Sequence, residues 1–246
     1  MLASIIIITK NQKDLLQRSL PILLKQELKG EYEIIIVDSG STDGAVEYIK
    51  SLPVKLIQIL PEDFRFANAF NTGAKFANGE FLVRLSGDVV PRDKKFLSEI
   101  IKPFKDKKVG GTYGRYIQTG KKGYSHPNFW PPERFSDKIV RFRVKPNLLK
   151  IIFNIDHLTS LTNFAGACCA IRKSIWMTRH FNENILGGED AEYAIYLHMK
   201  GFDIIYNPNA EVIHEHKIEN LNAGFWKELS WRIVFSIEIF KLFLKS

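Results

Sequence analysis

Residues 33–44, EIIIVDSGSTDG, pass directly from a β-branched apolar run into small polar residues. An apolar run without polar alternation fits a strand buried on both faces, as in a parallel sheet. The SGSTDG that follows supplies a turn, with Thr42 or Asp43 placed to cap a helix reaching Lys50. The pattern recurs on both sides. Residues 4–9 (SIIIIT) read as a first buried strand, and 14–26 as a helix with apolar residues at 15, 16, 20, 23 and 24. Residues 54–59 (VKLIQI) predict a third strand, 67–77 a helix and 80–85 a fourth strand. Strands alternating with helices at this interval predict an α/β fold, Rossmann-like, with a mostly parallel sheet flanked by helices.

Past Pro91 the rhythm changes. Residues 94–104 predict a helix and 109–118 a strand. Then comes TGKKGYSHPNFWPPERF (119–135), too long for a mere connector. Residues 163–171 are strand-like, 190–200 helical, 203–206 and 211–214 short strands, and 221–244 a terminal helix.

A chain of 246 residues at 45% hydrophobic composition has core enough for one large α/β domain or two small ones. The start, MLASIIIITK, lacks a basic region ahead of its apolar run, so no leader is expected, and the run is too short to span a bilayer. Cys168 and Cys169 are adjacent and read as small core residues in a reducing compartment, which points to the cytoplasm. Residues 101–150 hold nine Lys and four Arg against Asp106, Glu133 and Asp137, although the whole chain carries only +8. That segment suggests a phosphate-bearing partner, an acidic membrane or a solvated loop. Its aromatics (Tyr113, Tyr124, Phe129, Trp130, Phe135 and Phe142) suit a sugar platform or a lipid-facing surface. Nucleic acid is not expected as a partner, because no nucleic-acid motif accompanies them.

An open parallel sheet binds ligands beyond the carboxyl ends of its strands. Three such ends are polar here: Thr9-Lys10-Asn11, Asp38-Ser39-Gly40 and Ser86-Gly87-Asp88. The last lies in RLSGDVVP (84–91), where Asp-x-x-Pro on its own is compatible with a simple turn. No G-x-G-x-x-G follows the first strand and no G-x-x-x-x-G-K-[ST] occurs, so dinucleotide and P-loop sites are poorly supported.

SIIIITKN (4–11), EIIIVDSGSTDG (33–44), FANAFNTGAKFANGEFLVRLSGDVVP (66–91) and GGEDAEYAIYLHMKGFDIIYNPNAEVIHEH (187–216) together resemble inverting family 2 glycosyltransferases of the GT-A fold. In motif the chain is most like bacterial rhamnosyltransferase-like members. The resemblance implies that Thr9, Asn11 and Asp38 hold the base and ribose of a nucleotide-sugar donor, with Asn71 and Gly73 beside the nucleotide. It implies that Asp88 binds a divalent metal, Mn²⁺ or Mg²⁺, that bridges the donor diphosphate. His214, favoured over His216, joins that shell. Asp190 corresponds to the general base, and Glu189 to a group for acceptor hydroxyls. Ser86 stands where the family has the first acid of Asp-x-Asp, and Ser39 where many relatives have a second aspartate. The expected organisation is a GT-A domain over 1–216 and a C-terminal helical extension over 217–246. The expected product is a surface polysaccharide or related glycoconjugate, with a carbohydrate or lipid-linked acceptor. The alternative, favoured by Ser86, is a non-catalytic module of the same fold that binds sugar nucleotides or glycans. The terminal helix is open to three uses: packing on the domain, pairing in a homodimer, or lying peripherally on the inner membrane face.

Overall fold

A computed structural model describes residues 1–118, 136–147, 150, 154–215 and 237–244, and in it the apolar runs form the centre of a nine-stranded sheet. Strands β1 (Ala3–Thr9), β2 (Tyr32–Asp38), β3 (Lys55–Gln58) and β4 (Phe81–Ser86) run parallel in the spatial order 3-2-1-4. Helices α1 (Lys13–Leu23), α2 (Ala45–Lys50) and α3 (Phe66–Lys75) make the crossovers. Every residue of β1 is buried. Ile5 and Ile7 join one core with Leu16, Leu20 and Ile49, while Ile6 and Ile8 join another with Phe70 and Ala74. Successive side chains point to opposite faces, so a core on each side calls for an unbroken apolar run, here Ile5 to Ile8.

Beyond β4 the sheet is mixed rather than parallel. Strand β8 (Cys168–Arg172) lies antiparallel between β4 and β6 (Val109–Gln118). Strand β9 (Asp203–His214) runs parallel to β6 and carries antiparallel β5 (Val89–Pro91) and β7 (Val140–Phe142). The short strands expected at 203–206 and 211–214 are thus one strand. Residues 208–210 between them are taken up by a register shift between Gly114 and Arg115. A Cβ at Gly114 would collide with the Ala210 carbonyl, so glycine is what lets the two strands approach there. The strand expected from residue 163 starts only at Cys168. The helix expected to reach residue 104 stops as α4 (Phe96–Ile101), then tightens into a 3-10 turn (Lys102–Lys105) at Pro103, which has no N–H to give. The remaining helices are α5 (Ile155–Leu161), α6 (Lys173–Thr178) and α7 (Glu189–Met199). Residues 237–244 are helical, and Ile239 packs on Leu161 and Ile195. No helix among the described residues is long and apolar enough to cross a membrane.

The sheet curls, and a short link forces it to. Between β4 and β5 stand only Gly87 and Asp88, yet β8, β6 and β9 separate those strands in the sheet. Three Cα steps reach about 11 Å at most. The far end of β9 must therefore return to the tip of β4. The link is fixed at both ends: Gly87 N donates to Ile8 O at 2.8 Å, and Glu215 N to Asp88 O at 3.0 Å.

Other expectations resolve in the core. Cys168 and Cys169 are buried on opposite faces of β8, and burial pushes the Cys168 thiol up to about 12 and that of Cys169 higher still. Thiols held protonated in this way are packing groups. Tyr113 and Phe142 are core rings, stacked with centroids 6.3 Å apart, and not part of an exposed platform. Several cations of the basic segment are spent internally. Arg115 bonds Asp137 and Glu211, Arg141 bonds Asp106 and Asp203, and Arg143 bonds Asp203. Tyr124, Phe129, Trp130, Phe135, Lys121 and Lys122 lie outside the described residues.

Candidate active site

A cavity of about 650 Å³ opens at the carboxyl ends of β1 and β4. Thr9, Ser86, Asp88, Glu189, Asp190 and His214 all line it. One space thus collects residues from the β1 tip, the β4–β5 link, the start of α7 and the end of β9.

Asp88 Oδ2 lies 3.3 Å from His214 Nε2. The ladder makes this pair, because Val89 faces His214 across β5 and β9. Beside it, Thr9 Oγ1 and Gln12 Oε1 are buried with no hydrogen-bond partner among the described residues. A Cβ on Gly87 would collide with Gln12 Oε1 and stand 2.7 Å from Thr9 Oγ1, so glycine keeps that corner open. A carboxylate, an imidazole and orphaned oxygens suit a divalent cation that takes oxygen and tolerates nitrogen, Mn²⁺ more readily than Mg²⁺. Among the described residues no group of three or more His, Cys, Asp and Glu forms a full cage. The remaining positions would fall to diphosphate oxygens and water. His216 lies outside the described residues.

On the other wall, Gly188 at φ 81° starts α7. Asp190 is half-buried, and its Oδ2 accepts the Gly166 N–H at 2.7 Å. That bond fixes the carboxylate while its edge faces the cavity. Glu189, expected to meet acceptor hydroxyls, is instead bonded to Arg84, with Arg84 Nη2 2.6 Å from Glu189 Oε1 and the two side chains 3% and 5% exposed. Burial pushes the Glu189 carboxyl up, against the downward pull of Arg84. For Arg84, burial pulls down, but the neighbouring carboxylates, Glu189 foremost and then Asp190, more than offset it. Sequence reasoning passed over Arg84. Its signal was a lone cation inside a strand otherwise buried, which calls for a buried partner.

Asn11, Asp38, Asn71 and Gly73 do not line the cavity. Asp38 serves its own turn: Oδ2 accepts from Gly40 N and Ser41 N at 3.0 Å, and Oδ1 from Ser41 Oγ. Asn11, at φ 53°, accepts from Thr42 N at 2.7 Å and donates its own N–H to Ser41 Oγ at 2.8 Å. These bonds lace the β1 and β2 tips together. Asp43 helps, taking Lys13 N at 2.8 Å and Ala45 N at 3.0 Å, although Gly44 is the residue that caps α2. Asn71 is fully buried and saturated: it donates to Phe181 O and Glu183 Oε1, and accepts from Trp176 Nε1 and Phe181 N. A Cβ on Gly73 would stand 2.6 Å from Ile6 Cγ2, so glycine seats α3 on β1.

The model of Glycosyl transferase family 2 matches residues 4–178. O-antigen chain rhamnosyltransferase WbaN of Salmonella anatum is 27% identical over 187 residues, 75% of this chain and 56% of that protein. The dolichyl N-acetyl-alpha-D-glucosaminyl phosphate 3-beta-D-2,3-diacetamido-2,3-dideoxy-beta-D-glucuronosyltransferase of Methanococcus voltae is 27% identical over 235 residues, 84% of this chain and 64% of that protein. The chain thus spans less than two thirds of the length of either relative. Among solved structures, S. aureus TarS in complex with UDP-GlcNAc matches with a TM-score of 0.70 at 17% identity, covering 95% of this chain and 64% of that one. Mannosyltransferase PcManGT of Pyrobaculum calidifontis, in complex with GDP-Man and Mn²⁺, matches with a TM-score of 0.64 at 19% identity, covering 99% of this chain and 64% of that one. These likenesses identify the curled sheet with its flanking helices as a GT-A fold. A family model covering most of the chain agrees with the ordered motifs at its strand ends, and the chain belongs to glycosyl transferase family 2.

Proposed function

We propose that this chain is an inverting glycosyltransferase that moves a sugar from a nucleoside-diphosphate sugar to an acceptor hydroxyl, with divalent-cation assistance, in building a surface polysaccharide or related glycoconjugate. The observation that carries the reading is one cavity with Asp88 and His214 on one wall and Asp190 on the other. A metal-held leaving group and one base are the two functions that single displacement at an anomeric carbon requires. Asp88 and His214 would hold the cation, which when bound supplies positive charge to the leaving diphosphate. Asp190, fixed by the Gly166 N–H, takes the proton of the attacking hydroxyl. Ser86 contributes a neutral hydroxyl at the β4 tip, where it suits a phosphate or sugar oxygen. Thr9, with an unspent buried hydroxyl, faces the nucleotide side. Asp38 and Asn11 hold the shape of the loop against which the base would rest.

Residues 1–216 form the transferase unit in this reading and 217–246 its extension. The outward residues of that extension, Ile237, Phe240 and Leu244, are exposed apolar groups. With the cations of residues 121–150 other than Arg141 and Arg143, they support peripheral contact with an anionic membrane bearing a lipid-linked acceptor. Screening UDP-, GDP- and dTDP-sugars for hydrolysis with and without Mn²⁺ tests the donor half without needing an acceptor. Hydrolysis of one donor that stops on chelation is expected. A chain that binds sugar nucleotides and hydrolyses none would instead be the non-catalytic module.

A further inference from the structure

We propose that Phe66 and Leu186 form a platform for the acceptor, an apolar step in the cavity that takes the C–H face of a pyranose ring while a hydroxyl of that sugar meets Asp190. That the occupant is the acceptor rests on Asp190 acting as the base.

Both side chains line the cavity, and both are large, apolar and exposed, Phe66 at 41% and Leu186 at 44%. Neither exposure serves the fold. Phe66 is the first residue of α3, where free N–H groups favour a polar or acidic side chain, and no side chain caps this helix. Leu186 follows Ile185, which is buried, and precedes Gly187. A lone exposed apolar residue is ordinary. Two that converge on the cleft holding the polar strand ends mark a surface kept for a ligand.

The platform is held from behind. The Phe64 ring meets that of Phe66 edge to face, with centroids 5.2 Å apart, and Phe64 packs on the core that contains Ala67 and Phe70. Arg84 Cζ lies 5.7 Å from the Phe66 centroid, and Arg84 is itself fixed by Glu189. A ring placed in advance loses little freedom when a ligand settles on it.

Position selects the acceptor over the donor. In the proposed reaction the leaving diphosphate belongs to the wall of Asp88 and His214. Leu186 belongs to the wall of Asp190. Only Gly187, Gly188 and Glu189 stand between them in the chain, and Glu189 is turned onto Arg84. Four Cα steps reach about 15 Å at most, so a body resting on Leu186 has a hydroxyl within range of the base.

Chemistry selects a sugar over a hydrocarbon chain. The step is short, and Lys10, Ser86 and Asp190 open on the same space. A pyranose carries C–H faces and a hydroxyl edge, so one ring covers Phe66 and still bonds those polar groups. An acyl or polyprenyl chain would strip them of water and offer nothing in return.

Saturation-transfer NMR on the full chain with UDP or GDP and Mg²⁺ reads the site directly. The probes are the methyl glycosides of glucose, galactose, mannose, N-acetylglucosamine and rhamnose, with hexan-1-ol as an alkyl control. Transfer to ring C–H protons of at least one glycoside is expected, and none to the alcohol. Phe66→Ala and Leu186→Ala should each raise the dissociation constant of that glycoside by about tenfold, while Phe66→Tyr, which keeps the ring, stays within about twofold of wild type. Affinity for the nucleoside diphosphate, measured by calorimetry, should be the same in all three variants. A parallel fall in nucleotide affinity marks a donor-side or structural role and overturns the proposal. So does hexan-1-ol binding that depends on these residues, which marks a lipid site, or failure of every glycoside to bind wild type. If Asp190→Asn is inactive but glycoside affinity is the same in Phe66→Ala, Leu186→Ala and wild type, only the platform fails. If Asp190→Asn turns over at a normal rate, the base assignment falls and the acceptor assignment falls with it.

Discussion

His214 Nε2 meets Asp88 Oδ2 at 3.3 Å because Asp88 immediately precedes Val89, the residue that pairs with His214 across the β5–β9 ladder. Neither side chain reaches for the other over a loop. One partner is carried by β9 and the other by a two-residue link bonded at both ends, an arrangement that would suit two metal ligands in the proposed function.

Asp88→Ala should weaken Mn²⁺-dependent binding of nucleoside diphosphate by tenfold or more (about 1.4 kcal/mol), and His214→Ala should weaken it less. With Ser86 neutral, Asp88 is the carboxylate of that wall. Calorimetry of UDP and GDP with and without Mn²⁺ measures it. Equal affinities in wild type and Asp88→Ala would return Asp88 to a turn role.

Asp190→Asn should lose about 10²–10⁴-fold in transfer and leave donor affinity near wild type. The amide keeps the size of the carboxylate and can still accept from Gly166 N, but it cannot take a proton. Turnover by Asp190→Asn at a normal rate would remove the residue from catalysis.

Asn71→Ala should cost about 2–4 kcal/mol of stability, read as a lower urea midpoint. Trp176 Nε1, Phe181 N and the Phe181 carbonyl would each lose a buried partner. Folded Asn71→Ala should still bind nucleotide. Lost nucleotide affinity at full stability would assign Asn71 to the donor instead.

His198 governs stability in mild acid. Burial pulls its pKa from 6.5 down to about 4. The unfolded chain therefore binds the proton first, and stability falls as pH drops from 6.5 to 4, by about 3 kcal/mol. Asp203 is held below the usual carboxylate range by hydrogen bonds from Arg143, then by the charges of Arg143 and Arg141, so its contribution is lost only at lower pH. Glu192, pushed up by burial, works in the opposite direction. The difference between wild type and His198→Gln isolates the histidine. The melting temperature of the variant should fall less than that of wild type between pH 7 and 4.5. Identical slopes would refute the assignment.

The parallel half of the fold was legible because two cores demanded apolar residues at four successive positions of β1 (5–8) and of β2 (34–37). The mixed half was not. Nothing local to residues 168–172 says that this strand inserts antiparallel between β4 and β6, since strand direction is decided by chain far away. The division of β9 into two strands was a misreading of residues 207–210, whose polar and proline character is absorbed by a bulge rather than a turn. At the site, Asp88, His214 and Asp190 were legible as motif residues at strand and helix ends. The internal uses of Asp38 and Asn71 were not, because turn capping and core bonding draw on the same side chains as ligand binding. Arg84 was hidden for a different reason. Its partner Glu189 is 105 residues away, and only the folded chain puts them together.

The two-residue link from β4 to β5 also orders events in time. Asp88 is synthesised with the parallel half of the sheet, whereas His214 arrives with β9, after more than half the chain has been made. Pairing of such distant strands is slow, because a long loop must close before any contact rewards it. A nascent chain therefore displays Asp88 at an open sheet edge with no imidazole beside it. In the proposed function, closure of the last ladder and competence to hold a diphosphate become one folding step, so a stalled or truncated chain should sequester no nucleotide.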